Sequence, residues 1–302
     1  PTTGDEAVTI ELPSRHAMGA ACWNAAHPEP LGSATRKGSF GQMRAVKTGF
    51  VIDLGKMQTP ATIVCRANFV GPARISLVQW PAQQLESSNR KFHRDSGLLE
   101  GGIIVLALFV LLTAIINREW IYIVFAAWLI SNLRLAAISA GWDTQWLERT
   151  IPPDLTLLSR ALTVVAYYIL TITLFSRLFK NDLQRMGYPL MLWVVQWSCL
   201  PLLLCALVLP YSKFLQYMWG SAAMTVVVLV YNMTRIVWIT RSAVAMWYGA
   251  SMGMTLFISL YEVGAAALNL KGLIGTLNFV TASLASSLMA ARAIAEQMRQ
   301  ER

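Results

Sequence analysis

From residue 98 to residue 291 apolar side chains come in blocks of about twenty, the length that crosses a hydrocarbon layer as a helix. The breaks between blocks are short and hold most of the charges. Seven blocks follow one another: 98–116, 120–140, 155–175, 188–209, 214–239, 243–268 and one from about 273 into the C-terminal tail. Asn117-Arg118-Glu119, Gly141, Pro152-Pro153 and Pro210 mark several of the ends. Before residue 98 the pattern changes. Short runs at 7–12, 49–54, 61–67 and 73–80 are rich in β-branched residues or alternate in polarity, which predicts strands. Gly55, Pro60, Gly71-Pro72 and Pro81 predict turns between them. Residues 25–47, rich in Gly, Ser and Lys, read as loops, and the polar stretch 83–95 reads as a linker. The expected organisation is a small all-β sandwich over residues 1–95, a seven-helix transmembrane bundle over 96–291, and a helix leaving the membrane over 292–302.

Composition narrows the class. Of 302 residues, 55% are hydrophobic and 14% charged, and the mean hydropathy is +0.48. A soluble domain carries about 25% charged residues. A disordered chain, a collagen-like chain and an ordinary cytosolic enzyme are excluded. The net charge of +9 suits an anionic surface, and in so apolar a chain that surface is lipid rather than nucleic acid. With the N-terminal module outside, the inner gaps and tail hold Arg118, Arg177, Lys180, Arg185, Arg235, Arg241, Arg292, Arg299 and Arg302. The outer gaps hold Arg149, Lys213 and Lys271. Nine against three sets the orientation as N-out and C-in. Trp120, Trp142, Trp146, Trp238 and Trp247 fall near the expected interfaces, as an aromatic belt does.

Ionisable residues inside spans are costly and mark functional positions. Three stand out: Arg134, Arg160 and Glu262. At 1.5 Å of rise per residue they lie about 10, 8 and 9 Å below the outer helix ends. Asn132, Tyr261 and Asn278 fall in the same outer layer. An arginine fork suits a carboxylate or phosphate. These six residues are the expected binding site for a small anionic or zwitterionic extracytoplasmic ligand, in a pocket open to the outside. The competing reading is a buried Arg–Glu pair that holds three helices in register, and both can hold together.

Other polar groups carry less. His16, His27 and His93 match no metal-site spacing, so no metal and no cofactor is expected. Cys22 and Cys65 are either bridged, in an oxidising compartment, or free. Cys199 and Cys205 read as packing residues. Leu284, Leu288, Ala291, Ala295 and Met298 repeat at steps of four, three, four and three. This heptad-like seam leaves the membrane as a signalling helix that pairs two protomers. A homodimer is the expected state.

The chain resembles the bacterial seven-transmembrane receptors with diverse intracellular signalling modules. The resemblance is carried by residues 51–54, 63–66 and 74–81 in the sandwich, by 97–102 entering the first span, and by the connection 117–120. It implies a periplasmic sandwich, a multi-pass domain in the inner membrane, and a cytoplasmic output module beyond Arg302. That output is a diguanylate cyclase or phosphodiesterase turning over cyclic-di-GMP, or a kinase. No catalytic residues are expected in this chain. Two other seven-helix classes fail on residues. A retinal protein needs a lysine within its last span, and residues 273–291 hold none. A eukaryotic G-protein-coupled receptor usually ends its third helix in an acidic-Arg-aromatic triplet, where this chain reads Ser176-Arg177-Leu178. The alternative function is a transporter or channel component using Arg134, Arg160 and Glu262 as a path. Against it, no inverted repeat is visible.

Overall fold

The computed structural model describes residues 7–14, 17–26, 29–47, 49–56, 61–69, 76–140, 145–146, 149–150, 153–187, 190–267 and 279–301. Two compact units are distinguished. One comprises residues 1–98 and 138–156, the other 99–137 and 157–302.

Among its described residues the first unit has eight strands in two antiparallel sheets. They are β1 (Ala7–Leu12), β2 (Ala17–Asn24), β3 (Pro30–Thr35), β4 (Ser39–Gly41), β5 (Met43–Val46), β6 (Gly49–Lys56), β7 (Ile63–Phe69) and β8 (Val78–Pro81). One sheet has the order β5-β6-β1-β8, the other β4-β3-β2-β7. Successive side chains of a strand point to opposite faces. On β6, Phe50 and Ile52 enter the core between the sheets with Met43, Ala17, Ala20, Cys22 and Ala34. Val51, between them, is buried on the other face with Val46 and Leu85. A two-residue hairpin, β9 (Gln145–Trp146) and β10 (Arg149–Thr150), belongs to the same unit.

The loop expected over 25–47 is corrected: it contains β3, β4 and β5. These segments, like β2, are short of β-branched residues and are strands because of their partners. Met43 lies opposite Ile52, and Cys22 opposite Cys65. The strand expected at 73–80 is seen as β8; residues 71–75 lie outside the described residues. The linker expected over 83–95 is also corrected. It forms the first turns of α1 (Ala82–Asn117), which begins directly after Pro81 and meets no further proline. Its Leu85, 1% exposed, covers Val51, and Arg44 bridges toward Glu86 at 3.9 Å.

Glu11 is buried on the same outer face of the β5-β6-β1-β8 sheet. Trp80 donates its Nε1–H to Glu11 Oε2 at 2.6 Å, and the Lys47 ammonium stands 3.5 Å from that oxygen and 4.7 Å from the centre of the Trp80 ring. Trp80→Phe keeps an aromatic ring beside Lys47 and removes the donor together with part of the indole's packing on Val46, Val51 and Leu85. It is expected to lower stability in urea unfolding by about 1.5–3 kcal/mol, the worth of a hydrogen bond to a charged group.

The second unit is helical. After α1 come α2 (Trp120–Ala140), α3 (Pro153–Leu178), the short α4 (Lys180–Arg185), α5 (Leu190–Val208), α6 (Tyr211–Thr240), α7 (Ala243–Ala267) and α8 (Phe279–Glu301). Each apolar block is matched by one long helix; the start of the last, near 273, lies outside the described residues. Among the described residues, five helices, α2, α3, α5, α6 and α7, contain segments long and apolar enough to cross a membrane, and residues 101–116 of α1 are a shorter apolar stretch. Large apolar side chains cover the outside of the bundle, among them Phe109, Trp193, Trp197, Leu204, Val227 and Trp238. Water would not tolerate so many in one surface; lipid does. Within the bundle α5 packs on α6, α6 on α7, and α7 on α8. Arg241 ends α6 in the left-handed conformation, so α7 restarts two residues later.

Candidate functional site

Two arginines are buried in the helical unit. Arg134 on α2 is 6% exposed and Arg160 on α3 is 4% exposed. A helix in lipid satisfies its own backbone, so its buried side chains must find partners on neighbouring helices. Arg134 Nη2 donates to Ser159 Oγ at 3.2 Å, and Ser159 is the residue before Arg160. Both arginines make further interactions.

The layer extends across two more helices. Asn132, 3% exposed, donates from Nδ2 to Ser287 Oγ at 3.1 Å and so ties α2 to α8. On α8, Ser286 exchanges hydrogen bonds with Ser251 of α7: the two hydroxyls lie 2.8 Å apart, and Ser251 Oγ donates to the Ser286 carbonyl at 2.8 Å. Thr255 Oγ1 adds a donor to Ser286 Oγ at 2.9 Å. Helices α3, α2, α8 and α7 are therefore linked in that order by side-chain hydrogen bonds. A second knot lies elsewhere on α3. The Tyr168 hydroxyl bonds Thr225 of α6 at 2.6 Å and Ser198 of α5 at 2.9 Å.

Of the six residues expected to form the site, the structure places Asn132, Arg134 and Arg160 among the buried polar groups of α2 and α3. Tyr261 is half-buried on α7. Glu262 falls within α7, but its side chain lies outside the described residues, as does the whole of Asn278. Sequence reading missed the serines. Ser283, Ser286, Ser287, Ala290, Ala293 and Ile294 form the buried face of α8. Their signal was present as small and hydroxylated residues at steps of three, one and three, the pattern that lets membrane helices approach closely. The seam expected on α8 lies on another face: Leu284 and Ala291 are half-buried, Leu288 is 54% exposed and Ala295 is exposed. The Met298 side chain lies outside the described residues. Further along, Arg292 stacks over the Trp247 ring of α7 at 4.4 Å.

In the first unit a disulfide joins Cys22 to Cys65, directly opposed on β2 and β7. Among the described residues no group of three His, Cys, Asp or Glu side chains is placed to hold a metal ion.

Removing one member of the Asn132–Ser287 pair leaves a buried hydroxyl without its donor. Asn132→Leu is expected to lower stability by about 1–3 kcal/mol, whereas Asn132→Leu with Ser287→Ala is near neutral, since both partners are then apolar. Thermal unfolding of the two single variants and the double variant measures the coupling.

The helical unit is a membrane bundle with buried cationic side chains on α2 and α3, and a two-sheet β region precedes it in the sequence. Over residues 95–297, about two thirds of the chain, the sequence matches the family described as 7TM diverse intracellular signalling, and the chain belongs to that family. It is a membrane-embedded domain of signal transduction. No curated protein and no solved structure matches it.

Proposed function

We propose that this chain is the sensing part of an inner-membrane receptor whose sandwich lies in the periplasm and whose ligand is a small carboxylate or phosphate held by Arg134 and Arg160. The observation that carries this reading is the pair of buried guanidiniums on adjacent helices, one of them bonded to the serine that precedes the other. A guanidinium fork matches a carboxylate or phosphate, and the low dielectric of an apolar bundle strengthens that attraction. Tyr261, Glu262 and Asn278, which the sequence puts at a similar depth, are the remaining members of the proposed ligand set. The excess of basic residues in the gaps around Arg118, Arg177, Lys180, Arg185 and Arg241 supports the N-out, C-in orientation.

Binding would bias two arrangements of the bundle. The Asn132–Ser287 bond connects the arginine helix α2 to α8, and α8 carries the change to a cytoplasmic output module joined after Arg302. Cyclic-di-GMP turnover is the output that the resemblance implies. The exposed seam through Leu288 and Ala295 would pair two protomers as a homodimer.

A thermal-shift panel of carboxylates and phosphates on the purified chain tests the reading, with wild type beside Arg160→Ala and Glu262→Ala. A ligand that binds only the folded state raises the melting temperature by mass action. The expected result is an anion that stabilises wild type and not a folded Arg160→Ala variant. If no anion shifts wild type, or if the shift survives Arg160→Ala, the arginine layer is structural.

A further inference from the structure

The core of the sandwich is not filled. A cavity of about 210 Å³ opens between the sheets, lined by Ala17, Ala20, Phe50, Ile63, Ala67 and Phe69, with Ser14 and Ser76 among its polar neighbours. Facing sheets pack about 10 Å apart, and side chains from both must interdigitate to close that gap. Here β2 and β7 present three alanines, whose methyl groups leave the gap open. The lining atoms then lack dispersion partners on one side, and a guest of the right shape restores them.

We propose that this cavity is a second ligand site, for a small uncharged ring compound between benzene and indole in size. Size and polarity set the class. An apolar protein cavity of about 150 Å³ stays dry and takes up benzene, so this one admits a single ring or a compact fused pair. Charge is excluded by chemistry. A carboxylate buried against Phe50, Ile63 and Phe69 would give up its hydration with nothing in kind. The nearby cation, Arg36, is already engaged. It donates from Nε to the Ala17 carbonyl and from Nη2 to the Ser14 carbonyl, both at 3.1 Å, and its guanidinium stands 5.2 Å from the centre of the Phe50 ring. It therefore satisfies the carbonyls of Ala17 and Ser14, two residues of the lining. The hydroxyls of Ser14 and Ser76 suit one N–H or O–H on the edge of the ring. Leu77, 65% exposed, adds an apolar contact among the lining residues.

The site is separate from the arginine layer in both residues and ligand class, so the two can fail independently. The test uses the full chain with ¹³C-methyl methionine, in detergent or nanodiscs. Met43, 1% exposed in the same core, reports from inside the sandwich and is blind to ring compounds dissolved in lipid. Indole is titrated in, with benzoate as the charged control. A saturable shift of the Met43 methyl resonance with indole and not with benzoate is expected, and it is expected to persist in Arg160→Ala. Ala20→Leu fills the cavity and is expected to abolish the shift, with Ala67→Leu as the alternative filler if Ala20→Leu does not fold. An unmoved or linearly drifting resonance in wild type overturns the proposal, and so does an unchanged isotherm in a folded filled variant. Should both fillers fail to fold, the wild-type isotherm decides alone.

Discussion

Arg134→Leu is expected to weaken anion binding by about 2–5 kcal/mol, the usual loss when one member of a buried, hydrogen-bonded charge pair is cut away. Arg134 makes further interactions, so thermal unfolding of the variant beside wild type checks that it is folded. Leucine suits the apolar interior of α2, and Ser159 can turn its hydroxyl to its own helix backbone once the guanidinium is gone. Arg134→Lys separates charge from shape. It keeps the cation and loses the fork that grips two oxygens at once, so its affinity should fall between wild type and Arg134→Leu. Calorimetric titration with the best carboxylate from the panel gives all three values. Equal affinity in the three proteins would remove Arg134 from the site and leave it as a bracket between α2 and α3.

The second large effect concerns the sandwich. Cys22→Ala with Cys65→Ala removes a link between positions 43 residues apart. Closing a loop of that length lowers the entropy of the unfolded chain by an amount equal to about 4 kcal/mol at 25 °C. The first unit relies on it more than a large domain would, since its core between the sheets is small, with three alanines among its seven buried residues. Denaturant unfolding should show an earlier transition for the sandwich in the double-alanine protein. Wild type treated with dithiothreitol should reproduce it. Because Cys22 is fully buried, alanine is the informative replacement; serine would add a buried hydroxyl. If the transition stays within 1 kcal/mol of wild type (about a fivefold change in equilibrium constant), the bond is a by-product of strand pairing rather than a support.

Most of the helical unit was legible. The observed α2 has the bounds read from the apolar block, and α7 begins where expected. Arg134 and Arg160 could be named because a charge inside an apolar run is conspicuous whatever it touches. Their partners could not. Ser159, Ser287 and Ser286 are ordinary residues in a sequence, and only packing brings position 132 against position 287 or 251 against 286. The sandwich was half legible. Segments with β-branched runs, such as β1 and β6, stood out, whereas β2 with its Ala-Met-Gly-Ala-Ala run did not. The first turns of α1 looked like a linker because their polar surface hides a single buried leucine, Leu85.

The amino-acid sequence by itself determined that this protein lives in a membrane, where the long helices of the described residues lie, and which charges its interior must accommodate. Those features are local: a helix in lipid closes its hydrogen bonds within one segment, so twenty apolar residues state their own conformation. The tertiary structure alone decided the rest. It selected the strands whose residues have little preference of their own, turned the serine face of α8 inward, and left an alanine-lined cavity between two sheets. Each depends on contacts between residues distant in the chain, whose worth lies in burial and complementarity that no single segment encodes.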